Sequence, residues 1–282
     1  MRLRFAAVAA AVCLAASLAG TGAHAQRGWE AGAFLGGGHY FGDLNRDFNL
    51  GDPGPAGMLL ARYNFSTRWA ARLGASYTRV RADDADSPNV FERARNLSFR
   101  SDVFDGNLAL EFNFLPYVHG SREEFFTPYV FAGLTVAHFN PTAELDGERY
   151  RLRDFGTEGQ FPGEEYYTTA LGIGYGLGFK LDLTYEWSLN FELHARQLFT
   201  DYLDDVSTVY PDREDLLDRP GGEIAAALSD RSGEVDVPGA TDFGIGIPGR
   251  QRGDATGDDQ YGALTVGLVY YFGQLRCPDV GR

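Results

Sequence analysis

The chain has 282 residues, 44% of them hydrophobic and 14% aromatic, with 36 glycines and 2 cysteines. Its formal net charge is −14 and Lys180 is its only lysine, so a basic nucleic-acid face is excluded and no nucleic-acid partner is expected. No segment after the leader offers eighteen uninterrupted apolar residues, which excludes a helical membrane span.

The first residues, MRLRFAAVAAAVCLAASLAGTGAHAQ, set two arginines before an Ala- and Leu-rich run that ends in Ala23-His24-Ala25. Residues 1–25 therefore read as a secretory signal peptide, cleaved after Ala25. Residues 26–282 form one domain. Cys277 is then the only thiol left, so the exported chain has no internal disulfide, as suits a bacterial envelope protein stabilised by other means.

In the mature chain Trp29, Ala31, Ala33 and Leu35 share one parity of a first strand, Trp29 to Tyr40. A loop rich in Gly, Asp, Asn and Pro follows from Phe41 to Gly54. Ala56 to Phe65 reads as a second strand, and after a short turn Trp69 to Thr78 reads as a third. Ala82 to Arg100 is a long polar loop. The fourth strand sets Phe104, Leu108, Leu110, Phe112 and Phe114 against Asp105, Asn107, Glu111 and Asn113. A modest connection, Pro116 to Glu124, leads to a fifth strand, Phe126 to Phe139, which is apolar on both parities and leaves its register open. Asn140 to Tyr167 is again long and polar.

The clearest stretch is LGIGYGLGFKLDLTYEWSLNFELHARQLFTDYLDD, from Leu171 to Asp205. Leu171, Ile173, Tyr175, Leu177, Phe179 and Leu181 alternate with glycines, Lys180 and Asp182. Beyond Thr184-Tyr185-Glu186 the alternation resumes in Trp187, Leu189, Phe191 and Leu193 against Ser188, Asn190, Glu192, His194 and Arg196. A strict period of two gives each strand one apolar face, and each is long enough to cross a bilayer when tilted. The segment 204–259 is the longest gap and carries most of the acid; its composition favours partial disorder. Gln260 to Phe272 is the last strand.

These elements make an all-β chain: an eight-stranded antiparallel transmembrane up-and-down β-barrel of the outer-membrane type. Long loops alternate with short turns, so both termini are expected in the periplasm and the loops outside. A barrel of this size is filled by its own side chains. The inward parity supplies Arg62, Arg72, Glu111, Lys180, Glu192 and Arg196, expected to pair as an ionic plug, with Asp105, Asn107, Asn113, Asn190 and His194 beside them. Trp69, Tyr77, Phe112, Phe114, Trp187 and Tyr270 face outward as two interfacial girdles against outer-membrane lipid.

No catalytic set is legible. His194 shares the inward parity with Glu192, but no spacing brings a Ser, a His and an acid together at the rim, as lipid hydrolysis requires. Asp201, Asp204 and Asp205 lack the spacing of a calcium loop and read as a solvated acidic rim. Arg252-Gly253-Asp254 matches an integrin-recognition tripeptide, which carries no weight in an Asp/Gly-rich loop. No enzyme activity, cofactor or metal is expected.

Several stretches exceed generic barrel statistics. They include Tyr40-Phe41-Gly42-Asp43-Leu44-Asn45, Leu97-Ser98-Phe99-Arg100-Ser101-Asp102, Thr127-Pro128-Tyr129-Val130-Phe131-Ala132-Gly133 and Gly156-Thr157-Glu158-Gly159-Gln160. The most distinctive runs from Thr200 to Thr208 and contains Asp201, Tyr202, Asp204 and Asp205. In this order they resemble the PorG family, outer-membrane barrels of the type IX secretion system, and the DUF6089-like domains around it. The resemblance runs from Trp29 to Phe272. The long acidic segment after Thr208 and the ten residues beyond Phe272 depart from it. It implies a non-enzymatic component that tethers or organises a periplasmic secretion ring, built from a lipoprotein and its partner. The alternative is a general surface barrel whose acidic loops bind an external ligand or partner.

Overall fold

The computed structural model describes residues 27–46, 51–239 and 243–273. The leader and Cys277 lie outside the described residues. The strands are β1 (Gly28–Phe41), β2 (Gly54–Asn64), β3 (Trp69–Asp83), β4 (Ser98–Asn113), β5 (Phe126–His138), β6 (Pro141–Leu145), β7 (Glu148–Arg151), β8 (Thr169–Asp182), β9 (Trp187–Leu198) and β10 (Gln260–Tyr271). Eight of them run β1-β2-β3-β4-β5-β8-β9-β10 around a closed antiparallel barrel, since β10 pairs back onto β1. Closure leaves no strand edge unpaired in hydrocarbon, where an exposed N–H or C=O is costly.

Alternation decides which side of the wall each residue takes. Leu35, Leu59, Leu73, Leu108, Leu134, Leu171 and Leu264 are between 58% and 75% exposed around the outside. An apolar band of that extent is a liability in water and the stable face in lipid. Aromatic pairs ring its turn end: Trp29 with Tyr63 at 5.0 Å, Trp69 with Phe112 at 4.9 Å, Trp187 with Tyr270 at 5.1 Å. Towards the loop end Tyr77 packs on Phe104 at 5.1 Å. Of these pairs, three stand at the turn end and one at the loop end.

The ambiguous register of β5 resolves with Thr127, Tyr129, Phe131 and Thr135 inside and Val130, Leu134 and Val136 outside. The inward glycines of β8 accommodate them. A Cβ on Gly176 would stand 2.6 Å from the Phe131 ring, and one on Gly178 would stand 2.7 Å from the Tyr129 ring. The glycine alternation in LGIGYGLG is therefore a receptacle for two large rings on the neighbouring strand.

Each short turn uses the same device. Ser66 Oγ accepts from the amides of Arg68 and Trp69, at 3.2 and 3.0 Å. Ser121 Oγ accepts from Glu123 and Glu124, and Thr184 Oγ1 from Glu186 and Trp187. A hydroxyl at the start of a turn satisfies amides that have left the ladder.

At the other end β3 and β4 extend upward and the long loops fold into a cap. The β6–β7 hairpin docks on β4. Three short helices join it: α1 (Val90–Arg95), α2 (Arg213–Leu217) and α3 (Gly222–Ser229). Tyr40, Val80, Leu97, Phe99, Phe139, Leu198, Leu203, Val206 and Leu228 form the cap's buried core. This overturns the expected partial disorder of 204–259: in the described residues of that segment Val206, Tyr210, Leu216 and Leu228 are buried. Composition misled because several of the segment's acids are inside the cap, bonded to partners that come from other loops.

Candidate functional site

Arg62, Arg72, Glu111, Lys180, Glu192 and Arg196 lie inside the barrel, each at most 1% exposed. Arg72 on β3 sets both terminal nitrogens on Glu192 of β9, at 2.7 and 3.0 Å, and its guanidinium covers the Phe131 ring at 3.8 Å. The Tyr129 hydroxyl donates to the same carboxylate at 2.9 Å, and His194 Nδ1 lies 3.1 Å from it. Glu111 on β4 accepts from Lys180 and lies 3.0 Å from Arg62 Nε and 3.6 Å from Arg72 Nη1. Arg196 pairs with Asp105 at 3.4 Å, and Asp105 also accepts from Tyr261 at 2.9 Å and from Ser76.

Glu30 on β1 belongs with them and was absent from the sequence reading. It accepts from Arg62 at 2.5 Å and from Asn64. With it the described residues of the lumen include four cations, Arg62, Arg72, Lys180 and Arg196, and four anions, Glu30, Asp105, Glu111 and Glu192. Desolvation of so many charges is tolerable only where each has an opposite partner. Parity contained the signal, since Glu30 lies opposite to the outward Trp29, but the glycine run of β1 blurred that strand.

The turn between β4 and β5 folds back into the barrel mouth. His119, 4% exposed, stands 3.1 Å from Glu30 and 3.0 Å from Asp182, and stacks on Tyr271 at 4.3 Å. Tyr117 beside it donates to Asp182. Burial opposes a charge on His119, but hydrogen bonds to Asp182 and Glu30 outweigh it and raise the imidazole above its ordinary value. No sequence signal marked this residue, because a turn histidine reads as solvated.

At the loop end Asp204 and Asp205 are not part of the solvated acidic rim expected of Asp201, Asp204 and Asp205. Asp204 and Asp205 are each 1% exposed, while Asp201 and Tyr202 are half-buried. The physical reason is that the Asp204 and Asp205 carboxylates reach hydroxyls on other segments. Asp204 accepts from Tyr40 at 2.6 Å and from the Val206 amide at 2.9 Å. Asp205 accepts from Tyr166 at 2.7 Å and from Thr157. Tyr202 stacks on Tyr166 at 4.5 Å. Burial pushes Asp205 up to about 6 against the pull of Arg252, and pushes Asp201 up to about 9 with Asp43 and Asp204 nearby.

Two buried arginines tie the loops together. Arg95 of α1 grips Asp84 at 2.8 Å and donates to the carbonyls of Asp43 and Arg252 at 2.9 and 2.6 Å. Arg252 donates to Glu158 at 3.0 Å and to the Asp205 carbonyl at 2.6 Å. Being 1% exposed, Arg252 cannot present its tripeptide as a recognition loop. Among the described residues no three His, Cys, Asp or Glu side chains are grouped to hold a metal ion.

Comparison with known proteins follows the architecture. Ail, the attachment invasion locus protein of Yersinia pestis, is similar at 9% identity over 88% of this chain and 99% of its own, with a TM-score of 0.42. The outer membrane protein OprG from Pseudomonas aeruginosa is similar at 12% identity, over 89% of this chain and 99% of its own, with a TM-score of 0.44. Neisserial surface protein A is similar at 11% identity over 86% and 97% of the two chains, with a TM-score of 0.42. These likenesses concern the barrel and nothing beyond it. No curated protein matches the sequence. The DUF6089 model, a domain of unknown function, matches residues 9–218. With most of its length under that match, the chain belongs to the DUF6089 family, built here as a closed eight-stranded barrel of the outer-membrane type.

Proposed function

We propose that this is a non-enzymatic protein of the bacterial outer membrane that acts through its two ends rather than through its lumen. Its short turns and both termini face the periplasm, and its loop cap faces outward. The observation that carries this reading is the filled interior: Arg72 and Glu192 bridge opposite walls while Glu111 collects Arg62 and Lys180. A lumen crossed by buried ion pairs leaves no aqueous path, so work must be done by binding at the surface. His194 is held against Glu192 inside that network, away from any open rim where a substrate would sit.

The finer role is that of a type IX secretion component, tethering or organising the periplasmic ring of a lipoprotein and its partner. It is supported by the resemblance of the stretch containing Asp201, Tyr202, Asp204 and Asp205 and by membership of DUF6089. Affinity isolation of the tagged barrel tests it. Ring proteins are expected to come with the barrel; their absence, with secretion intact after deletion, removes the role. A second reading, a surface barrel that binds an external ligand, is favoured by a cleft of about 580 Å³ among the loops, lined in part by Arg81, Glu92, Arg100 and Glu144. Intact secretion with ligand capture lost on altering these residues selects it.

A further inference from the structure

The fourth long loop, 199–259, leaves β9 and re-enters at β10, and its two stems meet at one phenol. Tyr40 Oη lies 2.6 Å from Asp204 Oδ2 and 2.6 Å from Asp259 Oδ1. The other oxygen of each carboxylate is already used: Asp204 Oδ1 accepts from the Val206 amide and Asp259 Oδ2 from the Leu203 amide, both at 2.9 Å. A phenol owns one proton, and an ionised carboxylate has none to give. Tyr40 can therefore donate to only one of the two acids. The second 2.6 Å contact, buried and away from water, needs a proton of its own.

We propose that Asp204 and Asp259 share one extra proton across Tyr40, and that this proton latches the stems of the fourth loop so that the cap opens when it is lost. The base of the stems is also joined by Leu198 N to Asp259 O and Asp259 N to Thr200 O, each 3.0 Å, and further along by Arg252 N and Gly253 N to Thr208 O at 2.9 and 3.0 Å and by Tyr210 N to Arg250 O at 2.9 Å. The groups facing the pair come from every element packed on it: Tyr40 of β1, Asp43 of the first loop, Arg95 of α1, Tyr166 of the third loop and Asp201 of the stem itself. Arg95 is the only cation among them, and it is committed to Asp84. Burial, with Asp43 beside it, holds Asp204 well above the usual carboxylate range, and burial with Asp204 beside it does the same for Asp259. The sign follows. The closed state binds the proton more tightly than the open one, so the latch is strongest below the ordinary carboxylate range and weakens as pH rises towards the raised value. Across that window opening releases one proton and becomes about tenfold easier per pH unit.

The full chain in detergent micelles provides the test. Its infrared spectrum at neutral pH is expected to show a protonated-carboxyl band that falls in both Asp204→Asn and Asp259→Asn. Amide exchange in 199–230 is expected to gain about tenfold per pH unit beyond the intrinsic rise, and Asp259→Asn, which carries its own donor, is expected to abolish that gain. If Asp259→Asn does not fold, Tyr40→Phe serves instead, with the carboxyl band shifted by loss of the shared hydroxyl. An absent band, a band unchanged in both Asn variants, an exchange slope insensitive to the substitution, or a stem opened by chelator at constant pH would each overturn the proposal.

Discussion

Arg72 and Glu192 meet across the full width of the barrel, on strands four places apart in a ring of eight, through two hydrogen bonds of 2.7 and 3.0 Å. Neither side chain is more than 1% exposed. A bidentate pair between opposite walls fixes their separation as well as neutralising both charges.

Truncating one partner leaves the other charge buried and alone. Glu192→Ala is expected to destabilise the barrel by about 3–5 kcal/mol, measured by urea unfolding in micelles. The double variant Arg72→Met with Glu192→Leu is expected to cost less than Glu192→Ala. A double variant that loses the sum of the two single losses would show that the pair does not act as a unit.

His119 gives a pH dependence of the opposite end. Its imidazole is raised above the ordinary value by Asp182 and Glu30. Its contribution is full below about 6.5, the value of an unperturbed histidine, and is lost as pH rises through the raised value. The urea midpoint of the native protein should therefore fall across that window, and His119→Gln should flatten the fall. An unchanged profile in the variant would mean that the residue is not the titrating group.

The barrel and its strand order were readable because a two-residue period survives any detail of packing, and it places whole strands at once. What escaped depends on contacts between distant segments. Glu30 was hidden by the glycines around it, and Tyr129 and Phe131 by a strand apolar on both faces. His119 enters the mouth only because its turn folds inward. The cap was misjudged because α2 and α3 are short and sit in an acidic segment, while the residues that neutralise or satisfy those acids, Tyr40, Thr157, Tyr166 and Arg252, are scattered along the chain. Composition registers charge but not the partner that buries it.

The outer face is tested at Leu108, 61% exposed on β4 between Leu73 and Leu134. Leu108→Arg is expected to cost about 2–4 kcal/mol in a bilayer, the penalty for arginine at mid-membrane. Refolding into vesicles measures it. A neutral effect would place this wall in water.

Arg95 is one of the two buried arginines that tie the cap, with Asp84, Asp43 and Arg252 all on one guanidinium. Lysine keeps the charge and loses the fork, so Arg95→Lys is expected to loosen the cap by about 2 kcal/mol. Faster protease cutting in the loops, with barrel migration on gels unchanged, reads this directly. Equal cutting rates would assign the tie elsewhere.

The sealed interior is tested most directly by electrical recording of the purified protein in planar bilayers. A barrel crossed by Arg72–Glu192 and stoppered by His119 should give no steady conductance at any applied voltage that the membrane survives. Large, stable channels would show an open lumen and contradict the reading on which the proposed role rests.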